Sequence, residues 1–454
     1  MFKSIFVERN KMSKKHVINN IQKILNIPEI EDRKVELIFS TILLDTPYKC
    51  AQPEMLNQLL YDNYKPGFFE LSKIDSTHMI EKSITNVINF IADKEIKFLL
   101  EKYSEIRLYE HVQQILSFHI NDTTKIKDVI TIQEREDIVR KIIYFLITGN
   151  LYYTYNSHKD FNKIAFQMIP EILKKTNNYN FHDRLKQSIV GGLIGVNLKD
   201  KEKKLEERDS LRYYLSYNGD LSLEDNINIF NDCIEKYIDK NSNLTIDFFD
   251  DYDAEVIHTK ELLKVCWITD DYLETIFQLK FIEEQLDFNK NLTFYVVPRC
   301  SNNYTNDISA LDIKLLLQLS VFEKLKKFAL EKRLILCENG FDEGMFNGLR
   351  LSQEAAEILS RCDKVVISGC RSFETAQDIK KDVFYTGLST VNKNSRLILG
   401  TGSNIKCTAF IKCSKGERAY GEILPDVYNH KEKLVFTAYD FAKKKGRLYK
   451  EEVF

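Results

Sequence analysis

The sequence predicts an α/β protein, a doubly wound and mostly parallel sheet with a large N-terminal all-helical region, and three observations lead there. Apolar residues recur at three- and four-residue spacing through the first part of the chain. From about residue 333 onward, short apolar and β-branched runs alternate with helical patterns. Between these parts, the apolar run at 265–268 ends in two adjacent carboxylates, Asp270 and Asp271, and turns at once into a helical pattern. Strand and helix in alternation argue for parallel pairing, because each crossover helix returns the chain to the same end of the sheet. Such a layout is Rossmann-like, and ligands in it bind outside the carboxyl ends of the strands.

The helical region spans residues 1–195. Helical periodicity with charged faces marks 17–25, 80–91, 96–103, 107–118, 134–148 and 161–174. Pro28, Pro47, Pro53 and Pro66 stand near the predicted helix edges, and Gly149 lies just past a helix end. The run Gly191-Gly192-Leu193-Ile194-Gly195 has no preceding strand and no GxGxxG spacing, so it reads as a helix interruption or tight turn. The charge-rich stretch 197–208 reads as a solvated helix or linker.

The α/β domain spans 205–454. Val265, Cys266, Trp267 and Ile268 suit a strand covered on both faces. Leu273, Ile276, Phe277, Leu279 and Ile282 then keep a period near 3.6, the mark of an amphipathic helix. A second strand is predicted at 292–297, followed by a helix opened by Asn306, Asp307, Ser309 and Asp312. Next come a strand at 333–338, a helix at 353–361, a strand at 364–369, a helix at 373–379 and strands at 382–388 and 396–401. The tail adds strand candidates at 407–413 and 433–439. Glycine usage follows the same division, with ten of the sixteen glycines beyond residue 339.

Composition narrows the function classes. At 454 residues the chain is long enough for two or three domains, or for one core with a large appended part. The 65 basic and 67 acidic residues leave a net charge of −2, which gives no support to a nucleic-acid partner held by general electrostatics. The nine cysteines form no CxxC pair and several sit in apolar runs, so buried reduced thiols are expected. With no apolar run of about 18 residues and no leader pattern, a cytoplasmic protein without a membrane partner is expected. The acidic cluster Asp247, Asp250, Asp251 and Asp253 lacks the glycine and distal glutamate of a calcium loop and reads as an exposed loop. Cys370 and Arg371 are adjacent, which rules out the spacing of a phosphocysteine loop.

Two carboxylates at a strand tip are hard oxygen ligands suited to Mg²⁺ or Mn²⁺. The competing role for Asp270 is that of a helix N-cap. A wider comparison of motifs favours the metal. The run DDYLETIFQ, the run NDISALD and the run VVISGCRSFE occur in that order at 270, 306 and 365. Together they resemble the metal-dependent damage-control phosphatases, the family of the ARMT-like proteins and phosphopantetheine phosphatases, across roughly residues 205–400. Its first motif reads approximately DNAGE, then an aliphatic pair and F-D. Asp270 and Glu274 match it, while Asp271 replaces an asparagine and Gln278 an aspartate. In the second, close to NDATxxD, Asn306, Asp307 and Asp312 are retained. In the third, close to K-G-x-x-N-[FY]-E, Gly369, Phe373 and Glu374 are kept, with Ser368 in the lysine position and Ser372 in the asparagine position.

The resemblance implies a divalent-metal-dependent phosphatase acting on a small phosphorylated metabolite, with Mg²⁺ or Mn²⁺ held by Asp270, Asp271 and Asp307. It makes Glu274 a catalytic residue that orients water or substrate, or else simply a first-turn acid favoured by the helix dipole. Asn306, Ser368, Gly369, Arg371 and Ser372 become the substrate-binding set, Ser372 having the alternative role of helix N-cap. Because Ser368 carries no charge, Arg371 takes the place of the family lysine as the phosphate-facing cation. Two alternatives accompany this reading: a non-catalytic relative that keeps the metal pocket, and a carboxyl methyltransferase-like enzyme.

Overall fold

A computed structural model of the chain describes residues 14–27, 29–31, 51–62, 64, 80–81, 84–85, 88, 94–121, 139, 141–143, 145–146, 168–174, 176–192, 224, 228, 244–299, 307–340, 346–389, 407–420 and 437–448. The chain forms two compact units, Met1–Pro47 with Phe69–Ser157, and Tyr48–Phe68 with His158–Phe454. Asn306, the charged stretch 197–208 and the strand expected at 396–401 lie outside the described residues.

The second unit holds the sheet. Its strands are β1 (Ile246–Asp247), β2 (Leu263–Ile268), β3 (Leu292–Val297), β4 (Leu334–Leu336), β5 (Lys364–Ser368), β6 (Asp382–Ser389) and β7 (Cys407–Cys413), in the order β1-β7-β6-β5-β2-β3-β4. From β6 to β4 all neighbours are parallel; β7 runs antiparallel to β6 and β1 parallel to β7. The expected α/β class and mostly parallel sheet are therefore present. β2 is the central strand of the parallel run from β6 to β4, with Trp267 in register with Val296 and Val366, and Val265 to Ile268 are all buried. From β2 the chain moves outward to β3 and β4, whereas β5 and β6 lie on the other side. This reversal puts the switch point of a doubly wound sheet between the carboxyl ends of β2 and β5.

Eight helices of this unit matter below: α1 (Pro53–Leu59), α2 (Phe181–Gly191), α3 (Tyr272–Phe288), α4 (Ala310–Leu316), α5 (Glu323–Leu330), α6 (Gln353–Arg361), α7 (Cys370–Thr375) and α8 (Ala438–Lys444). The sequence predicts α3 to be amphipathic, yet it is buried almost throughout, from Tyr272 to Leu279 and again at Phe281, Ile282, Glu283, Gln285 and Leu286. One face lies on the sheet, where Trp267 meets Phe281 edge-on at 6.0 Å. The other is covered by α2. Phe181 packs against Phe281 and Phe288, and the fully buried Arg184 donates to both oxygens of Glu284 at 3.1 and 2.8 Å. Arg184 also donates to Thr176 and Gln187, so the cost of burying its charge is offset by directed bonds. The sequence places the domain boundary near 195–205; the compact unit reaches back to His158 and takes in Tyr48–Phe68. The cause is physical, since a helix that buries residues on every side, polar ones among them, needs a second cover that also satisfies those polar groups.

In the first unit, helices Lys14–Leu25, Lys94–Tyr103 and Tyr109–Asn121 bring Val17, Ile21, Ile96, Leu100, Val112 and Ile115 into a common apolar core. The buried Tyr103 hydroxyl meets His111 Nδ1 at 2.5 Å.

Three local expectations change. Of the strand expected at 433–439, residues 433–436 lie outside the described residues, and at 437–439 a helix starts instead, because Thr437 and Asp440 form a reciprocal capping box ahead of α8. The helix expected at 373–379 begins three residues earlier, straight after the turn at Gly369. The acidic cluster at 247–253 is no exposed loop: it opens a short helix, Phe249–Tyr252, with Asp247 paired to His182 and Asp251 to Arg447. Among the described residues no helix is long and apolar enough to cross a membrane.

Candidate metal centre

β2 delivers the first carboxylates. Thr269 still bonds to the neighbouring strand through its N–H to Val297, and the chain then leaves the sheet at Asp270. Asp271 occupies the N-cap position of α3 with extended backbone, φ −59° and ψ 146°, but its side chain makes no capping bond. The capping alternative for Asp270 is thus removed: it precedes the cap. The helix is instead closed by the Asp271 carbonyl, which accepts from the N–H and the hydroxyl of Thr275.

β3 delivers the third. After Val297, Arg299 pairs with Ser309 in a parallel bridge, and Asp307 pairs with Asp271 in an antiparallel one. Ile308 N–H donates to the Asp270 carbonyl at 3.0 Å. These backbone bonds draw the two strand ends together, and oxygens of Asp270, Asp271 and Asp307 lie within 4.8 Å of one another. Asp312, retained in the second motif, has a different task. It forms a capping box with Ser309 and fixes the start of α4.

β5 supplies the opposite wall. Gly369 has φ +93°, and a Cβ there would fall 1.8 Å from Asp270 Oδ2. Only glycine allows this approach. Ser368 is fully buried, and its oxygen accepts hydrogen bonds from Trp267 Nε1 at 3.1 Å and Gln278 Nε2 at 2.9 Å. The expectation that Ser368 contacts substrate therefore changes: it braces the site from beneath. Ser372 is also buried and accepts from Phe346 N–H. Nor does Ser372 cap the helix, since Gly369 holds the N-cap position of α7. Arg371 lies in α7, its side chain outside what is described.

Glu274 sits one turn into α3 and is 3 % exposed. Its Oε1 accepts from Gln278 Nε2 at 2.9 Å. The end of α2 closes over it: a Cβ on Gly191 would lie 3.0 Å from the Glu274 backbone, and one on Gly192 3.0 Å from Oε2. The glycine run, legible in the sequence only as an interruption, is what lets α2 reach Glu274. Arg299 is the residue sequence reasoning missed. Its guanidinium bonds Asp270 Oδ1 and Asp307 Oδ2, each at 2.8 Å. The available signal was positional, a cation just past the carboxyl end of the strand next to β2.

Burial, Asp307 and Asp271 push Asp270 well above the usual carboxylate range, with Arg299 pulling it down. Burial and the three aspartates likewise push Glu274 up, against the Gln278 hydrogen bond. Folded-state values above the unfolded ones mean that the neutral forms favour the fold. That contribution is complete below about pH 4 and is lost as pH rises through the raised values. A divalent cation would reverse the penalty by favouring the ionised carboxylates. We therefore expect the melting temperature rise caused by Mn²⁺ over chelator to be larger at about pH 8 than at about pH 5. A rise that is independent of pH in thermal melts would place the cation elsewhere.

The donor set fits the group that the motifs imply: three hard carboxylates at a switch point, beside a backbone cradle that a Cβ would fill. No protein-family model matches the chain, and comparison with curated proteins returns no match. Among solved structures, the chain is similar to a DUF89 family protein from Pyrococcus horikoshii, at 16% identity and a TM-score of 0.49, over 77% of this chain and 100% of that one.

Proposed function

We propose that the chain is a phosphoric monoester hydrolase of the damage-control type, acting on a small phosphorylated metabolite with Mg²⁺ or Mn²⁺ held by Asp270, Asp271 and Asp307. The observation that carries this reading is the convergence of the three carboxylates within 4.8 Å of one another, Asp270 and Asp271 from the end of β2 and Asp307 from the segment between β3 and α4. When bound, the metal supplies Lewis-acid polarisation of the phosphoryl group and lowers the pKa of a water. The rest is the work of the chain. Asp271, in place of the family asparagine, adds a negative charge that tightens the grip on a divalent cation. Glu274, held through Oε1 by Gln278, orients the attacking water, takes up its proton at Oε2 as the new P–O bond forms, and returns that proton to the departing alcohol oxygen as the ester P–O bond breaks. The Gly369 turn brings bare backbone up against Asp270. The motif match assigns Asn306 and Arg371 to anion binding, with Arg371 supplying the charge that Ser368 lacks.

The direct test is a screen of phosphorylated metabolites with Mn²⁺, Mg²⁺ or chelator, following phosphate release. Release that persists unchanged in chelator would count against the reading. On a substrate found this way, Arg371→Ala is expected to lose roughly thirtyfold to several thousandfold in kcat/KM. This is the worth of a charge-assisted bidentate contact of about 2 to 5 kcal/mol. Near-parental turnover in Arg371→Ala would remove that side chain from the site. Ser368→Lys is not expected to improve matters, because the position is enclosed by Trp267 and Gln278.

A further inference from the structure

Arg299 places its two terminal nitrogens on two different carboxylates, Nη2 on Asp270 Oδ1 and Nη1 on Asp307 Oδ2. Its side chain is only 6 % exposed. The backbone on both sides of this bridge is pinned as well, by the Arg299–Ser309 pairing, by Ala310 N–H to the Arg299 carbonyl and by Ile308 N–H to the Asp270 carbonyl. A guanidinium is a rigid planar fork, so occupying one oxygen of each carboxylate fixes the rotation of both groups about their Cβ–Cγ bonds. The second oxygen of each is thereby set in direction, and for Asp270 that oxygen is Oδ2, the atom turned toward the Gly369 cradle.

We propose, resting on the metal reading above, that Arg299 is the positioning residue of the centre: it clamps Asp270 and Asp307 so that their remaining oxygens face one cation. Two physical effects oppose each other here. A fixed positive charge beside the ligands repels an incoming cation, and this alone would make removal of Arg299 tighten binding. Against this, free carboxylates must be ordered before they can ligate, and losing the group that orients a ligand commonly costs 10- to 100-fold in metal affinity. The bridging geometry, with both nitrogens engaged at 2.8 Å on separate ligands, argues that orientation wins.

The experiment is calorimetric titration of Mn²⁺ into the purified full-length parent, Arg299→Lys and Arg299→Ala, well below their melting temperatures. Lysine keeps the charge and the apolar stem but cannot span two carboxylates in one plane. Both variants are expected to bind Mn²⁺ roughly 10- to 100-fold more weakly than the parent. A merely structural role would lower the melting temperature and leave the affinity of the folded protein unchanged. Affinity that is unchanged or tighter in Arg299→Lys overturns the inference, and that variant decides the matter even if the alanine protein does not fold. If the parent itself takes up no Mn²⁺, the metal reading falls and the inference with it. Uptake by the parent with unaltered variants removes the role of Arg299 alone.

Discussion

Asp270→Asn is expected to abolish metal-dependent phosphate release, whereas Asp271→Asn, at the next residue along the chain, is expected to cost far less. Asparagine matches aspartate in shape, so neither change creates a clash or a cavity. What differs is charge and position. Asp270 faces three groups at once: Arg299 through Oδ1, the Gly369 turn through Oδ2 and the Asp307 carboxylate beside it. A neutral amide there removes one anionic ligand and offers Arg299 a much weaker acceptor. A bound metal contributes several kcal/mol of transition-state stabilisation, so its loss corresponds to on the order of 10³-fold in kcat/KM. Asp271 stands where the resembling family carries asparagine, and Asp271→Asn is therefore expected to retain turnover at saturating metal while binding Mn²⁺ more weakly. Kinetics of both variants across a range of Mn²⁺ concentrations check this. Equal losses in the two, unrelieved by added metal, would mean that the positions are not distinguished as ligands.

Gly369→Ala is expected to damage the site and the fold together. With φ +93° and ψ 144°, the residue sits in a region essentially restricted to glycine, where a side chain costs about 1–3 kcal/mol in backbone strain alone. The new methyl would also overlap Asp270, at 1.8 Å from Oδ2, 2.5 Å from Cγ and 3.0 Å from Cβ. A flexible tip alone yields to such a contact by swinging away, but this overlap reaches back to Cβ, so Asp270 must rotate off Arg299 and out of the triad. The expected outcome is a clear drop in melting temperature together with loss of Mn²⁺ binding. Gly446→Ala separates the two effects. It shares the positive φ, +67°, but a Cβ there meets nothing within 4 Å, so it should lower stability and leave Mn²⁺ binding intact. Parental Mn²⁺ affinity in Gly369→Ala would show that the approach of the β5–α7 turn to Asp270 is not part of the centre.

How much of this was legible beforehand depends on the range of the interaction. Asp270 and Asp271 announced themselves because the period of the sequence changes from an apolar strand to a helix at that point, and Asp307 because it opens the helix that follows the second strand, within NDISALD. Both are local signals, written in windows of about ten residues. The run from β2 to β6 was readable for the same reason, through alternation of strand and helix. Arg299 was not readable in this way, since nothing in PRCSNN distinguishes a buried clamp from a solvated arginine.

The sequence by itself determined the α/β class, the order of β2 to β6 along the chain and the acidic residues Asp270, Asp271 and Asp307 that follow β2 and β3, because propensity and periodicity act through near neighbours. Only the tertiary structure decided which strands adjoin. Once β5 pairs with β2, Gly369 falls against Asp270 and Ser368 drops beneath Trp267 and Gln278. Packing of α2 over α3 likewise turned a glycine pair some 80 residues upstream into the cover of Glu274. These juxtapositions depend on sheet register and on the close packing of faces distant in sequence, where a single methyl group separates contact from overlap.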